Sequence, residues 1–485
     1  AEIEATGAVV GIDLGRLCKR FNLEGDWGGI VDVEELAITG PLNDLRIEAF
    51  LTARDLRGAG YGIDYVSGRV VAGIDGAVEV PQEDPVTVRT GESEVQLWGT
   101  LSAERQLDLM VATAEGKSLR VEDIHAFDPS VVALKSRLGM ELHVTGPVTA
   151  PQIKDGDLRV HELVVNGNTF GPGSGKVHIS KESVRVDHFV LIGGQKDAEA
   201  GRREQYEVNG TVWPREDLDI TAAVVAAPIA KLMDLGRVPP PPFPVEGRLT
   251  ALIKVKEGEP RPLVSVTRLD VTDGRVGPQP VETLTVEGIE LNKDDLVVSK
   301  LTVALPGGTT LMGEGRASLA ANGPIQFNVD AEEIDLALVQ PWVSLGQEIG
   351  GTGKLHLQVS GTLNEPVVVG RVDARSPRYG NFQIDAIGAD LSFRDHVARV
   401  TNLLVEKAGY SASGYAELPV DWEEKRVAPD AAIRAQVRVD KQSLNALTLF
   451  TPRIVEISKD GYASAILDVG GTLADPMLNG SVEVQ

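Results

Sequence analysis

The chain has 485 residues, 42% of them hydrophobic and 5% aromatic, with a formal net charge of −24. That apolar content is enough to bury a core and argues against disorder, while the negative charge argues against nucleic acid or anionic headgroups as surface partners. The single cysteine, Cys18, rules out an intrachain disulfide, and the longest apolar run, Ala222 to Ala230, contains Pro228 and is too short to span a bilayer.

The chain opens with Leu14, Leu17, Cys18 and Phe21 at helical spacing, which predicts a short amphipathic helix. Gly28-Gly29 ends it, and strands begin at Ile30. Leu45, Ile47, Ala49, Leu51 and Ala53 then alternate with mostly polar residues, the period of a strand with one apolar face. Leu107, Leu109 and Val111 follow the same rule, with Gly99 as a break between strands. A weaker helix is predicted over Val131 to Leu138, and then Met140, Leu142 and Val144 alternate with Glu141 and His143. Leu218, Ile220, Ala222 and Val224 form another apolar face, and Ile229, Leu232 and Met233 another helical turn. The proline run Pro239 to Pro244 is either a ligand for a proline-binding domain or a stiff connector, and the connector is the simpler reading. Ile325, Phe327, Val329 and Ala331 alternate again, followed by a helical turn at Leu336, Val339 and Val343 that Pro341 interrupts. Leu355, Leu357 and Val359 share a face, as do Ile433, Ala435, Val437 and Val439. Leu444 and Leu447 begin a last helical turn.

A turn punctuates this series at long, even intervals. It reads Gly361-Thr362-Leu363-Asn364-Glu365-Pro366 and, near the C-terminus, Gly471-Thr472-Leu473-Ala474-Asp475-Pro476. Shorter versions are Gly40-Pro41, Gly146-Pro147 and a degraded copy at Gly258. The glycines at 40, 146, 258, 361 and 471 are 106, 112, 103 and 110 residues apart, an internal repeat of about 108 residues. The modules are 1–117, 118–227, 228–333, 334–442 and a partial fifth, 443–485. Each is expected to hold one short helix and roughly eight to ten strands of typical length. The chain starts at Ala1 and stops inside a module, as a mature form or an excised piece does. Helices are too few to cover the apolar faces, so the sheet either folds over on itself or binds something.

These residues resemble a family. A short helix, glycine-rich strands and the pattern apolar-x-Gly-Thr-Leu-x-x-Pro-x-x-x-Gly, best seen in Gly361 to Gly370 and Gly471 to Gly480, are similar to the TamB/AsmA-like superfamily. The resemblance implies an all-β, elongated, curled sheet with a taco-like groove, in bacterial envelope proteins related to bridge-like lipid transfer proteins. It implies a periplasmic, envelope-spanning conduit that carries phospholipid acyl chains between inner and outer membranes. The alternative it implies is a dry scaffold for outer-membrane protein assembly, with an outer-membrane β-barrel as partner. The family's N-terminal inner-membrane anchor has no counterpart in this sequence, so membrane contact is expected only through other segments. The residues expected to line the groove are Leu45, Ile47, Leu51, Leu107, Leu109, Val111, Leu142, Val144, Leu218, Ile220, Val224, Ile325, Phe327, Val329, Leu355, Leu357, Val359, Ile433, Val437 and Val439. An apolar stripe at strand spacing is equally the mark of ordinary core, and both readings stand at this point.

Catalytic and cofactor chemistry finds no foothold in the pattern. The histidines at 125, 143, 161, 178, 188, 356 and 396 form no His-x-x-x-His pair and join no cysteine cluster, so no metal is expected. His143 and His356 fall on polar strand faces and read as solvated. Gly171 to Lys176 hints at a phosphate loop, but Phe170 stands for the first glycine and Val177 for the Ser/Thr, which leaves a hairpin loop. Glu34-Glu35 and Glu423-Glu424 are adjacent, so on a strand they face opposite ways and cannot work together. No enzyme activity and no cofactor are expected. An enzyme on a β-helix needs a short coil repeat, which a period near 108 residues is not.

Overall fold

Alternating apolar and polar residues between turns make antiparallel strands, and strands make up most of the described residues. The computed structural model describes residues 2–21, 28–58, 61–123, 134–193, 204–236, 244–259, 262–318, 320, 322–342, 347–362, 364–420, 430–445, 461–472 and 474–485. The fold is all-β, as the alternation predicts, with 29 strands and two α-helices among the described residues. The early strands are β1 (Glu2–Asp13), β2 (Gly28–Pro41), β3 (Arg46–Gly58), β4 (Tyr61–Gly73), β5 (Val78–Val80), β6 (Val86–Thr90), β7 (Ser93–Leu101) and β8 (Gln106–Thr113). Then come β9 (Leu134–Pro147), β10 (Gln152–Val165), β11 (Asn168–Ile179), β12 (Val184–Gly193), β13 (Gln205–Trp213), β14 (Asp219–Pro228) and β15 (Val245–Lys256). They are followed by β16 (Leu263–Val276), β17 (Gln279–Asn292), β18 (Asp295–Ala304), β19 (Thr310–Ser318), β20 (Ile325–Asp335), β21 (Ile349–Gly361) and β22 (Pro366–Tyr379). The last are β23 (Phe382–Gln383), β24 (Ala386–Arg394), β25 (Val397–Lys407), β26 (Tyr410–Pro419), β27 (Arg434–Ser443), β28 (Tyr462–Gly471) and β29 (Pro476–Val484).

The chain divides into two units, Ala1–Pro239 with Thr250–Pro262, and Pro240–Leu249 with Leu263–Gln485. In the first, β1 to β14 form an antiparallel meander in which β5 and β6 together fill one place between β4 and β7. In the second, β16 to β29 do the same, with β23 a two-residue stub on β22. Counted this way, six strand positions separate each repeat turn from the next: β2 to β9, β9 to β15, β15 to β21 and β21 to β28.

Six is fewer than the eight to ten expected, because the strands are long. β9, β10, β16, β17 and β22 each run 14 residues, against about five to six in an ordinary sheet. Glycines that look like breaks lie inside strands. Gly99 is within β7 and Gly370 in the middle of β22, where it does not close the strand. A Cβ at Gly370 would meet the His356 carbonyl and the Leu357 side chain, so glycine is there for close packing. Gly171 to Lys176 is likewise strand, not hairpin loop. It belongs to β11, where Gly173 pairs with Val160 and Leu191, and Lys176 with Asp157 and Asp187.

The helices follow the sequence in two modules and depart from it in two. α1 (Leu14–Phe21) and α2 (Ile229–Gly236) form where the periodicity places them. Leu134 to Leu138, expected to be helical, instead start β9: Leu134, Ser136 and Leu138 pair with Val165, Leu163 and Val160. Long-range pairing overrides a weak helical period there, and residues 131–133 lie outside the described set. Leu336–Trp342 is a 3-10 helix, in keeping with Pro341, which has no N–H to donate. Val343, Leu447 and the prolines at 239–242 also lie outside the described residues, as do His125 and Glu423-Glu424.

Within each unit antiparallel alternation fixes which end of the strands each connection occupies. In the first, the turns after β2 and β9 are at one end, and α1 and α2 at the other. In the second, the turns after β21 and β28 share one end, and the 3-10 helix before β21 is at the other. These two late turns are built alike. The Thr362 N–H donates to the Glu365 carbonyl at 3.2 Å, and the Thr362 Oγ1 accepts from the Glu365 N–H at 3.0 Å. Thr472 does the same with Asp475 at 3.1 Å. Gly361 and Gly471 enter at φ of 89° and 81°, a region that favours glycine.

Candidate functional site

Residues directly opposite on neighbouring strands share a face, so the register gives a map of each face. In the second unit one row runs across thirteen strand positions: Leu269, Val286, Leu301, Gly313, Val329, Leu357, Gly370, Leu391, Val400, Ala416, Ala435, Val469 and Leu478. Every member is apolar or glycine. In the first unit a second row runs across nine: Val86, Leu97, Val111, Leu142, Gly156, Val177, Val186, Gly210 and Ile220. At about 4.8 Å per strand the thirteen-strand row covers about 58 Å of sheet contour.

The rows are only partly withdrawn from solvent. In the longer one Val286 is buried and Leu478 exposed, and the members between are half-buried. An apolar sheet face packed under a second layer is normally buried. This one keeps side-chain surface open along most of its length.

The twenty residues singled out in the sequence fall on these faces. Leu45, Leu218 and Ile433 lie one residue before β3, β14 and β27, and the others lie within strands. Leu109 pairs with Val144, Val111 with Leu142, Phe327 with Val359, and Val329 with Leu357. Ile47 pairs with Ile38, Leu51 with Val33, Leu107 with Leu101, Leu355 with Val372, Val437 with Leu467 and Val439 with Ala465. Val224 and Ile325 are buried, and the remaining eighteen are half-buried. The glycines that complete the rows, such as Gly156, Gly210 and Gly313, were not foreseen. Their signal was available: each falls at the apolar parity of its strand.

The opposite face is charged and cross-tied. Arg371 donates to Asp373 at 2.8 Å and to Asp390 at 3.1 Å, Arg399 pairs with Glu417 at 3.1 Å, and Lys354 with Glu332. The Asn402 amide, followed by Arg371, holds the Asp390 carboxyl below its ordinary range, so it stays ionised at neutral pH. His143 and His356 do sit on this face, and each has a carboxylate partner: Asp108 at 2.6 Å and Asp330 at 2.5 Å. Such exposed pairs contribute about 0–1 kcal/mol each. Their larger effect is to keep this face wet and the other apolar.

One polar cluster lies on the apolar side. Lys231 of α2 reaches Glu204 at 2.6 Å and the Thr169 carbonyl at 2.9 Å, with its ammonium 4.0 Å from the Phe170 ring centre. The Tyr206 hydroxyl donates to Glu204 at 2.5 Å. Burial, and then the Glu204 carboxylate, push the Tyr206 phenol well above its usual range. Nothing local in the sequence announces this cluster, because its members come from three separate segments, 169–170, 204–206 and 231.

Among the described residues no group of three or more His, Cys, Asp or Glu is placed to hold a metal ion, and no helix is long and apolar enough to cross a membrane. No protein-family model, curated protein or solved structure matches the chain.

Proposed function

We propose that the half-open apolar face is a binding track for phospholipid acyl chains, and that the protein carries lipid between the two membranes of a bacterial envelope. The observation that supports this is the thirteen-strand row, apolar throughout and only partly covered. Burying an acyl chain against such a surface yields about 0.8 kcal/mol per CH₂ without directional contacts. A row of similar side chains offers similar energy at each step, which permits sliding, whereas one deep pocket would trap the chain. Low aromatic content suits this, since Val, Leu and Ala give a smooth aliphatic surface. The internal repeat and its resemblance to bridge-like lipid transfer proteins supply the envelope setting.

The test puts a photocrosslinking residue at Leu357 in one variant and at Gln358 in another, both expressed in a Gram-negative envelope. Mass spectrometry then reads lipid adducts. Adducts at position 357 and not at 358 are expected. Absence at both would leave a dry scaffold for outer-membrane assembly as the better reading. Adducts at 358 alone would put the lipid on the charged face and overturn the proposal.

A further inference from the structure

In the first unit, one stretch of the apolar face is not open. α2 follows β14 and reaches back to β11, so it lies over the apolar side of β11 to β14. Tyr206 marks that side: it pairs with Leu191 and Val224, and Leu191 pairs with Gly173. Beneath the helix Phe170 is 5% exposed, Val224 7% and Ala227 0%.

Lys231 gives the helix a polar anchor. It has eight residues, too few to be stable alone. Its own apolar side chains Leu232, Met233 and Leu235 are only half-buried. Lys231, in the same half-buried class, is 12% exposed at its side chain and touches four groups on β11 and β13 or next to them: Glu204, the Thr169 carbonyl, and the Phe170 and Tyr206 rings. Loss of that one cation would remove all four contacts together.

We propose that α2 is a cover latched by Lys231, and that the apolar face of β11 to β14 accepts an acyl chain only when the latch opens. The acyl-chain half of this rests on the lipid reading above; the latch itself does not. With the latch closed, a lipid moving along the face meets α2. With it open, Val224, 7% exposed under the helix, joins the aliphatic surface beside Leu191, which is half-buried already.

The experiment uses the full chain with Lys231→Met, which keeps the aliphatic stem and removes the charge. The double variant Lys231→Met/Glu204→Gln leaves no buried charge unpaired, in case the single one folds poorly. Hydrogen exchange at the Ala230 to Leu235 amides should rise at least tenfold in the variants, with β9 to β12 unchanged. A small diazirine crosslinker at Val224 should give at least five times more lipid adduct in the variants than with Lys231 present, and one at Leu357 the same amount in both. Unchanged exchange in α2 would overturn the latch. Faster exchange with equal adducts at Val224 would overturn its control of access. Faster exchange with no lipid at 224 or 357 would refute the lipid reading and leave the latch standing.

Discussion

The strands beneath α2 and the strands β20 to β22 carry the same alternation and end with different burial. Val224 and Phe170 are shut off from solvent, while Leu355, Leu357 and Val359 remain half-open. Both regions meet a short helix: α2 contacts β14 and β11, and the 3-10 helix Leu336–Trp342 contacts β21. Burial also varies inside the more open region, where Ala331 and Ala389, on the same face as Leu355, are 3% and 2% exposed. Strand pattern therefore sets which side is apolar, and local packing, a covering helix included, decides whether a stretch of that side is core or accessible surface.

Substitutions can break this comparison or sharpen it. The largest effect is expected at Phe170→Ala, which removes a covered ring in contact with Tyr206 and Lys231 and should lower stability by about 4 kcal/mol in urea denaturation. Gly370→Val should cost about 3 kcal/mol even though it lies in the open region, since its Cβ would meet neighbouring backbone. The same change at Gly7, with nothing within 4 Å of its Cβ, is the control and should be nearly silent. If Gly370→Val proves equally mild, close strand packing is not what fixes glycine in the open face. Leu357→Ala should cost only about 1 kcal/mol, because a half-exposed leucine has less burial to lose. A loss as large as that of Phe170→Ala would mean the open face is covered in solution.

The smallest effect concerns pH. Asp32 accepts the Gly11 N–H at 2.6 Å and the Arg54 guanidinium at 2.6 Å, and these, in that order, depress its carboxyl. A carboxyl lowered in the folded state adds stability above its unfolded value of about 3.9, and that stability is lost as pH falls through the lowered value. Melting temperature should therefore drop less between pH 7 and pH 3 in Asp32→Asn than in the unaltered protein. An equal drop in both would show that the bond to Gly11 is not coupled to folding.

Much of this was legible in the residues. Leu355, Leu357 and Val359 were readable as one face because strand periodicity needs only neighbours along the chain. The α1 helix was readable from Leu14, Leu17, Cys18 and Phe21 for the same reason. What escaped depends on distant partners. Gly173 and Gly370 look like turn residues until their cross-strand neighbours are known, so the strands seemed shorter and more numerous than they are. Leu134 to Leu138 have a helical spacing that pairing with β10 overrules. Lys231 and Glu204 are 27 residues apart, with no shared pattern to join them.

The six strand positions in each module have a consequence for how such a chain can change length. Six is even, so within each unit successive repeat turns fall at the same end of the strands. The fold thus has a reading frame, with a period of two strands. Excising β25 and β26 together, Val397–Pro419, would preserve the direction of everything downstream. Excising β25 alone would reverse it, sending the Thr472 turn to the end where the helical connections belong. Growth or loss by hairpins, or by whole modules, is in frame, and a single-strand deletion is the frameshift this architecture cannot absorb.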